Sequence, residues 1–592
     1  MIFGDVISRA DFSGVFILLN KFSVLILSVA ASFNTYAAAT VPASQQADLI
    51  LQNGKIYTGS SQQPWAEAVA VKAGKIVAVG SADQVMGFRN GSTKVVDLGN
   101  RMAMPGINDA HAHPTWGGLK QLFQCNFPAS STPLQIKERI STCIKGQPQS
   151  QWIRGGQWTA EFFQKNGIDS PRQWLDAISG DKALLLTDDT GHNIWANSKA
   201  MGLLNISAET QAPKGSSFEK NPATGEFTGI LLEANGYIKS KLPDWSDAQY
   251  LQAAQYAVAL ANSFGITGIK DADANENVAR AFYNLDQKEG LNAHVGVAIR
   301  ISDEHKKNIF DMPQIMRIRD SYRSRHVNTG FAKIYLDGVP TSARTAAMIS
   351  PYKPDAHAHD DLQKGHLLLT ADELKAALIE LDKQGFTVKI HAAGDQAIRS
   401  ALDAIEAMRK VNGNSGLKPE LAHAEFIDPT DLPRFARLNA TADFSPYIWY
   451  PSPISDAIES VVGERARQAW PTRDLLDSGA TIIAGSDWPS VVPDLTPWNA
   501  IEALVTRRDP SGQHAGAMWP QQAIKLEEAL GIFTKNGAQA LGASERTGSI
   551  EVGKSADIIV LNQNIFEVPV DDISETRIVS TYFEGNKVYP AR

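Results

Sequence analysis

The sequence predicts an α/β protein, in which a (β/α)8 barrel of the TIM type is accompanied by a small β-sandwich domain and an inserted subdomain. Three observations lead to this prediction. Strand-like and helix-like segments alternate through the middle of the chain, short β-like runs occupy both ends, and one interval is too long for a barrel connection.

The overall composition is that of a globular protein with a large core. The chain has 592 residues, of which 43% are hydrophobic and 20% are charged, enough for two or three structural units. Its net charge is −8, and no basic tract occurs. The sequence therefore gives no electrostatic reason to expect binding to nucleic acid or to an anionic membrane.

The amino terminus has the layout of a secretory signal. Lys21 precedes an apolar run, and small residues follow at Ala37, Ala38 and Ala39. The run is too short to span a bilayer of about 30 Å. We therefore predict a signal peptide over residues 1–39, a periplasmic or secreted protein, and no stable membrane insertion after cleavage. An uncleaved anchor and a later start of translation remain open, because an earlier apolar patch lengthens the segment before the run.

Both ends of the chain carry short alternating runs separated by turns. Asn53-Gly54 is a strong hairpin signal, and the same pattern of short runs separated by turns recurs at the carboxyl end in GSIEVGKSADIIVL. A single β-sandwich domain formed by residues 45–103 and 545–592 accounts for both ends, since domains commonly bring their ends together.

Eight strand-like runs lie between these ends, and amphipathic segments separate most of them. Nearly every run ends in polar or ionisable residues, and in a TIM barrel the carboxyl ends of the strands carry the chemistry. The barrel domain is predicted over residues 104–115 and 251–544. The runs are MPGINDAHAH, ITGIKDAD, AHVGVAIR, GFAKIYLDG, FTVKIHAAGD, ELAHAEF, ATADFSP and ATIIAGSDWP.

Residues 116–250 separate the first two runs and contain strand-like and helix-like segments of their own. We therefore predict an inserted subdomain that serves as a lid or substrate pocket. The two cysteines of the chain, Cys125 and Cys143, lie in this interval. In an exported protein they can form one disulfide; the alternative is a pair of unpaired buried thiols.

Ionisable residues at the predicted strand ends form a candidate metal site. His111 and His113 are separated by one residue, so on a strand both imidazoles point to the same face. Four imidazoles and a carboxylate suit a borderline cation such as Zn²⁺, which lowers the pKa of bound water. Asp487 would take the proton from this water and pass it to a leaving amine. Taken singly, a barrel histidine can be a hydrogen-bonded core residue and GSDWP a helix cap, but their order at successive strand ends favours a metal site. The remaining members of the set are Lys333, His391 and His423.

With these residues in place, the chain resembles the amidohydrolase superfamily, and within it amidohydrolase family 3. The resemblance implies a distorted (β/α)8 barrel beside a small β-sandwich, with one or two divalent ions such as zinc. It implies that four histidines, His111, His113, His391 and His423, are metal ligands and that Asp487 is the acid of the eighth strand. The matching segments are PGINDAHAHP, DDTGHNIWANSKAM, TGEFTGILLE, AKIYLDGVPTSARTA, KIHAAGDQAI, AHAEFI, AGSDWP and GSIEVGKSADIIVL.

The resemblance also gives Lys333 a role. Many members of the family carry a carboxylated lysine at the matching position, where the carbamate bridges two metal ions. Such a group supplies the oxygen donors that a second cation needs. The alternative is a plain lysine paired with Asp337 or another acid, in which case the site would hold one ion.

Four further residues are expected around the site. Asp109, two residues before His111, is predicted to accept a hydrogen bond behind the ligands, unless it is a solvent-facing acid. His192 lies in a segment that resembles one facing the active site in the family. We predict a catalytic contact of His192 with the substrate or its oxyanion, with a structural hydrogen bond as the alternative. Trp116 and Trp488 are expected to wall the substrate pocket, with burial in the core as the alternative.

The predicted function is metal-dependent hydrolysis of a non-peptide C–N bond in a small amide, imide or cyclic amide. The expected partner is a small-molecule substrate, and a homodimer is compatible with the sequence. Hydrolysis of an ester, lactone or organophosphate at the same centre remains open, because the sequence does not reveal the leaving-group pocket. A non-catalytic binding or regulatory role also remains open.

Overall fold

A computed structural model describes residues 46–159, 161–188, 193–213, 216–232, 234–301, 311–341, 343–354, 363–490 and 492–590. The predicted signal peptide and His192 lie outside these ranges, and what was predicted of them stays a prediction. Among the described helices, none combines the length and the apolar character needed to cross a membrane.

Eight parallel strands form one sheet in chain order, which confirms the predicted barrel. Every one of the eight predicted runs overlaps one of these strands. We call them barrel strands 1 to 8; in order they are Ile107–Ala112, Ile266–Ala274, His294–Arg300, Val327–Tyr335, Thr387–Ala392, Glu420–His423, Thr441–Phe444 and Thr481–Ala484.

Backbone hydrogen bonds join the two ends of this sheet. The amide of Asp487, just after barrel strand 8, donates to the carbonyl oxygen of His111 at 2.7 Å, and the amide of His113 donates to the carbonyl oxygen of Trp488 at 2.7 Å. Gly485 permits this approach, because a Cβ there would lie 2.2 Å from the backbone nitrogen of His111. The barrel therefore closes at the carboxyl ends of its strands.

Helices surround the barrel and present apolar faces to it. The helix Ala371–Lys383 shows the local reasons for this arrangement: Thr370 and Glu373 form a capping box at its start, and a buried apolar stripe follows at helical spacing. The helices of this layer are Pro114–Phe123, Asp247–Ser263, Glu276–Gln287, Met312–Ser321, Ala371–Lys383, Asp395–Asn412, Leu432–Leu438, Pro453–Val462, Thr472–Asp477, Pro497–Thr506, Leu526–Gly531 and Gly537–Ala540.

Strands from both ends of the chain share one sheet beside the barrel. In this six-stranded sheet Ile558–Leu561 pairs with Met102–Pro105, the strand that leads directly into barrel strand 1. A second, four-stranded sheet lies against it, and one apolar cluster contains side chains from both sheets. The six strands are Asn586–Tyr589, Ile578–Phe583, Ile558–Leu561, Met102–Pro105, Lys55–Tyr57 and Trp65–Ala66; the four are Lys75–Gly80, Ala68–Lys72, Leu49–Gln52 and Lys94–Asp97, with the helix Ala82–Met86.

The interval between barrel strands 1 and 2 holds a mixed sheet of its own, with an apolar cluster on each face. A disulfide joins Cys125 to Cys143, with 5.8 Å between the Cα atoms. It ties the first strand of this sheet to the helix Pro133–Gly146. The strands are Ser217–Lys220, Phe227–Leu232, Ile194–Ala196, Ala183–Thr187, Trp152–Gly156 and Cys125–Asn126; the other helices are Phe162–Lys165, Pro171–Ser179, Ser198–Leu203 and Asn235–Lys241.

Candidate metal centre

His111, His113 and Asp487 converge at the carboxyl end of the barrel. His111 lies in barrel strand 1, and His113 is the residue immediately before the helix that follows it. Oδ1 of Asp487 lies 3.0 Å from Nε2 of His113 and 3.6 Å from Nε2 of His111. One ligand atom from each of the three residues lies within 4.8 Å of the other two, the spacing of groups that share a metal ion.

The turn after barrel strand 8 aims the carboxylate of Asp487 at the two histidines. Asp487 has a φ of 56°, in the left-handed region that aspartate adopts more readily than most residues. Asp109 supports this turn from below, because its carboxylate accepts hydrogen bonds from the amides of His111 at 3.1 Å and Ser486 at 3.2 Å. Asp109 is thus a buried acid that fixes the backbone behind two of the site residues.

His391 and His423 extend the cluster along barrel strands 5 and 6. Their ring centroids lie 4.4 Å apart, and the ring of His423 lies 5.1 Å from that of His111. Nε2 of His391 lies 3.0 Å from the carbonyl oxygen of Gly338, which can only accept, so that nitrogen carries the proton and Nδ1 is left as the acceptor. The four predicted histidines therefore form one continuous cluster of rings, in which His111 and His113 contact Asp487.

Burial keeps three of the four imidazoles neutral, which is the form that binds a metal. Burial lowers the pKa of His391 to about 4 and the pKa values of His111 and His423 well below their usual range. For His113, burial also acts to lower the pKa, but the hydrogen bond with Asp487 and the charge of that carboxylate outweigh it, so the pKa is raised.

Lys333 lies buried in barrel strand 4, on the interior side of the barrel. Its ammonium stands 4.8 Å from the ring centroid of Tyr335, whose ring is 5.6 Å from that of His391. Burial lowers the pKa of Lys333 to about 8, and its charge is one of the causes that lower the pKa of His391. The lysine is therefore close enough to act on the histidine cluster electrostatically.

One buried atom shows that these residues suit a metal ion. Nε2 of His111 is buried and has no hydrogen-bond partner among the described residues, while Nδ1 of the same ring is 2.7 Å from the carboxylate of Asp443. An unsatisfied buried nitrogen is costly, and a cation bound between it, His113 and Asp487 would remove that cost. Imidazole nitrogens with a carboxylate oxygen are a donor set that binds zinc in catalytic sites.

The structure places the two tryptophans differently. Trp116 is 43% exposed and its ring lies 6.0 Å from that of His113, at the edge of the site. Trp488 is fully buried, and its ring packs over Gly117, where a Cβ would come within 2.0 Å of it. Trp488 thus takes the alternative stated for it, burial in the core, because its ring fills the space beneath the helix Pro114–Phe123.

Sequence reasoning missed several buried charged residues of the barrel interior. Glu425 follows His423 by two residues; burial raises its pKa to about 8, and its Oε2 has no hydrogen-bond partner among the described residues. The other missed residues lie within strands and face inward, where charged residues in otherwise apolar runs were the available signal: Lys270, Lys389, Glu420 and Asp443.

A TIM barrel with histidines and a carboxylate gathered at the carboxyl ends of its strands defines a metal-dependent class of enzymes. The family model described as Amidohydrolase family matches residues 94–589, and the chain belongs to this family, as its resemblance to family 3 implied. Membership supports a metal-dependent hydrolase.

Two relatives and one solved structure show the extent of the similarity. The chain is 27% identical to the protein LONG AFTER FAR-RED 3 of Arabidopsis thaliana, over 94% of each chain. It is 26% identical to the N-substituted formamide deformylase of Arthrobacter pascens, over 92% of this chain and 98% of the relative. The crystal structure of an uncharacterized metal-dependent hydrolase from Pyrococcus horikoshii superposes with a TM-score of 0.72 at 22% identity, covering 88% of this chain and 99% of the other.

Proposed function

We propose that this protein is a zinc-dependent amidohydrolase that cleaves a non-peptide C–N bond of a small amide or cyclic amide with an activated water. The observation that carries the proposal is the convergence of His111, His113 and Asp487 around the unpartnered Nε2 of His111. The name of the Arthrobacter relative supports the substrate class, because an N-substituted formamide is a small amide outside a peptide chain.

The four histidines and Asp487 are the groups that would hold the ion, and Lys333, if carboxylated, would hold a second. The bound ion supplies Lewis acidity, which polarises a carbonyl group and makes water acidic near neutral pH. The exposed ring of Trp116 stands at the edge of the same site, and the chain leads from its helix into the inserted subdomain. They are the elements through which a small substrate would contact this protein.

Asp487 is the group that moves the proton. The hydrogen bond with His113 and the positive charge of that ring lower the pKa of Asp487 despite the opposing effect of burial, so the carboxylate is a base at neutral pH. As the C–O bond to water forms, Asp487 accepts the proton that water loses. It then donates this proton to the nitrogen as the C–N bond breaks, so the amine leaves neutral.

We further propose that the protein works outside the cytoplasm. The disulfide between Cys125 and Cys143 supports this, since such bonds persist in oxidising compartments and are rare in the cytosol. Cell fractionation followed by determination of the amino terminus tests the proposal. Periplasmic protein that begins near residue 40 is expected, and protein confined to the cytosol would contradict it.

The function is tested by metal analysis and a substrate panel with the full-length protein. Zinc should co-purify, chelation should abolish turnover, and added zinc should restore it. The panel pairs N-formyl and N-acetyl anilines and hydantoin with the matching phenyl esters, and the release of aniline, the opening of hydantoin to its N-carbamoyl acid and the release of phenol are each measured. Amide turnover is the expected result. Ester turnover without amide turnover would make the protein an esterase, and metal binding without any turnover would favour a binding role.

A further inference from the structure

Beneath the histidine cluster, four buried ionisable side chains form a continuous chain of contacts across the barrel. Lys270, Glu420, Lys389 and Asp443 come from barrel strands 2, 6, 5 and 7, and none is more than 2% exposed. We call this set the ion-pair chain. It occupies a layer that TIM barrels usually fill with branched apolar residues.

The contacts of the ion-pair chain are close and lead to His111. Nζ of Lys270 lies 2.6 Å from Oε1 of Glu420, and Oε2 of Glu420 lies 2.8 Å from Nζ of Lys389. The same Nζ of Lys389 contacts Oδ2 of Asp443, and this Oδ2 is 2.7 Å from Nδ1 of His111. Two ammonium and two carboxylate groups balance in charge, and the last carboxylate meets a histidine of the metal centre.

Stability alone does not account for such a layer. A buried ion pair loses much of its Coulomb energy to desolvation, and replacing such pairs by packed apolar residues is often neutral or stabilising. A carboxylate aimed at the far nitrogen of a metal-binding histidine has a known physical effect, since it orients the ring and selects its tautomer. The position of Asp443 therefore points to a task in the metal centre.

We propose that Asp443 is a positioning residue, whose carboxylate is held by Lys389 and keeps the proton of His111 on Nδ1, so that the lone pair of Nε2 faces the ion. This inference rests on the proposed metal centre. An ionised carboxylate only accepts hydrogen bonds, so the ring nitrogen beside it must donate. The other nitrogen, Nε2, lies 3.6 Å from Asp487 and has no hydrogen-bond partner among the described residues, as the inference requires.

The test compares zinc affinity, without substrate, in three proteins. Asp443→Asn keeps the size of the side chain but removes its charge next to His111. Lys270→Met removes an equally buried charge from the opposite end of the ion-pair chain and leaves Asp443, Lys389 and His111 in contact. Chelator competition measures the zinc dissociation constant, and thermal unfolding of the metal-free proteins measures folding.

We expect Asp443→Asn to weaken zinc binding by about 10- to 100-fold and Lys270→Met to stay within about threefold of the parent. Equal losses in both variants, or parent-like affinity in Asp443→Asn, would overturn the inference while the metal centre stands. A parent protein that binds no zinc would overturn the proposed function together with this inference.

A second measurement determines the tautomer of His111 directly and requires no variant of Asp443. In the metal-free parent labelled with ¹⁵N-histidine, the His111 signals are assigned by their absence in His111→Gln. Their shifts and couplings report which nitrogen carries the proton. A proton on Nδ1 is expected, and a proton on Nε2 would overturn the inference.

Discussion

The carboxylate of Asp487 lies 3.0 Å from Nε2 of His113, so residues at the two ends of the barrel sheet meet in one ionisable pair. The backbone repeats this meeting, because the amide of Asp487 donates to the carbonyl oxygen of His111. The contacts that close the barrel therefore also bring the site residues together. Changes at this junction should affect both.

Replacing Asp487 by Asn should remove turnover with the fold intact. The amide has nearly the same size, but it cannot take the proton from water or return it to the leaving nitrogen. We expect kcat on a responsive N-acyl amine to fall by roughly 10²- to 10⁴-fold. Steady-state kinetics and zinc content are measured on the same preparation.

The matched control is Asp403→Asn, which changes an exposed acid on the helix Asp395–Asn412 that pairs with Arg434. It should retain the parent kcat. An Asp487→Asn protein that turns over at the parent rate would show that another group carries the proton.

Lys333→Met should remove one of two bound ions. Carbamate formation requires a neutral amine, and burial lowers the pKa of Lys333 to about 8, which increases the neutral fraction near neutral pH. We expect two zinc ions per chain in the parent and one in the variant. Elemental analysis gives the count, and ¹³C NMR after incubation with labelled bicarbonate should show a carbamate carbon in the parent alone.

A second buried lysine provides the control for this experiment. Lys182 lies in the inserted subdomain, where its ammonium donates to the carbonyl oxygen of Pro148. Lys182→Met should keep both the zinc content and the carbamate signal. A Lys333→Met protein with unchanged metal content and an unchanged signal would mean that Lys333 is an uncarboxylated lysine of the barrel interior.

The predicted fold and the predicted histidine cluster share one origin in the sequence. Each barrel strand is a short apolar run followed by polar residues. A polar residue at the end of such a run is therefore expected at the carboxyl end of the barrel, where the site lies. The spacing of His111 and His113 also indicates that their side chains lie on the same face of the strand. Local pattern was sufficient to predict these features, because none depends on which strands are neighbours.

The ion-pair chain could not be predicted in this way, and local pattern left the burial of Trp488 open. Lys389 and Glu420 meet because barrel strands 5 and 6 pair with these two residues in register, and no local pattern encodes that register. Trp488 is buried because Gly117, far away in the sequence, leaves room for its ring. In both cases the outcome depends on a contact between distant segments.

Gly485→Ala should damage stability and activity together. A Cβ at this position would lie 2.2 Å from the backbone nitrogen of His111 and 2.5 Å from Oδ1 of Asp109, both of which are held in place. The loop that carries Asp487 must therefore move. We expect a loss of roughly 1–3 kcal/mol in stability and a clear fall in kcat, measured by thermal unfolding and steady-state kinetics.

Gly531→Ala is the matched substitution at a helical glycine that ends Leu526–Gly531, where an added Cβ meets no atom within 4 Å. There alanine should leave kcat unchanged and keep or slightly raise the unfolding temperature, because it stabilises helices by roughly 1 kcal/mol relative to glycine. Equal behaviour of the two alanine variants would contradict the close contact at Gly485.

His326 should make the junction between the barrel and the β-sandwich sensitive to pH. It directly precedes barrel strand 4; its Nδ1 lies 2.6 Å from Asp286, and its Nε2 lies 3.2 Å from Glu584 in the last hairpin of the sandwich. Burial acts to lower the pKa of His326, but the hydrogen bonds with the two carboxylates outweigh it and raise the pKa from 6.5 to about 9.

The raised pKa of His326 in the folded protein determines how stability changes with pH. Below pH 6.5 both the folded and the unfolded chain carry the proton on His326, so the stabilisation by the two carboxylates is fully present. As the pH rises toward 9, the unfolded chain has lost this proton while the folded chain must give it up, and the stabilisation disappears. The full effect is of the order of 3 kcal/mol, spread over this interval.

The prediction is checked with His326→Gln by thermal unfolding at about pH 6 and about pH 10. The variant should unfold several degrees below the parent at the lower pH, and the difference should shrink at the higher pH. His366→Gln changes an exposed histidine and should follow the parent at both values. A gap between parent and His326→Gln that stays constant across this range would mean that His326 stabilises the junction by packing alone, without a contribution from its charge.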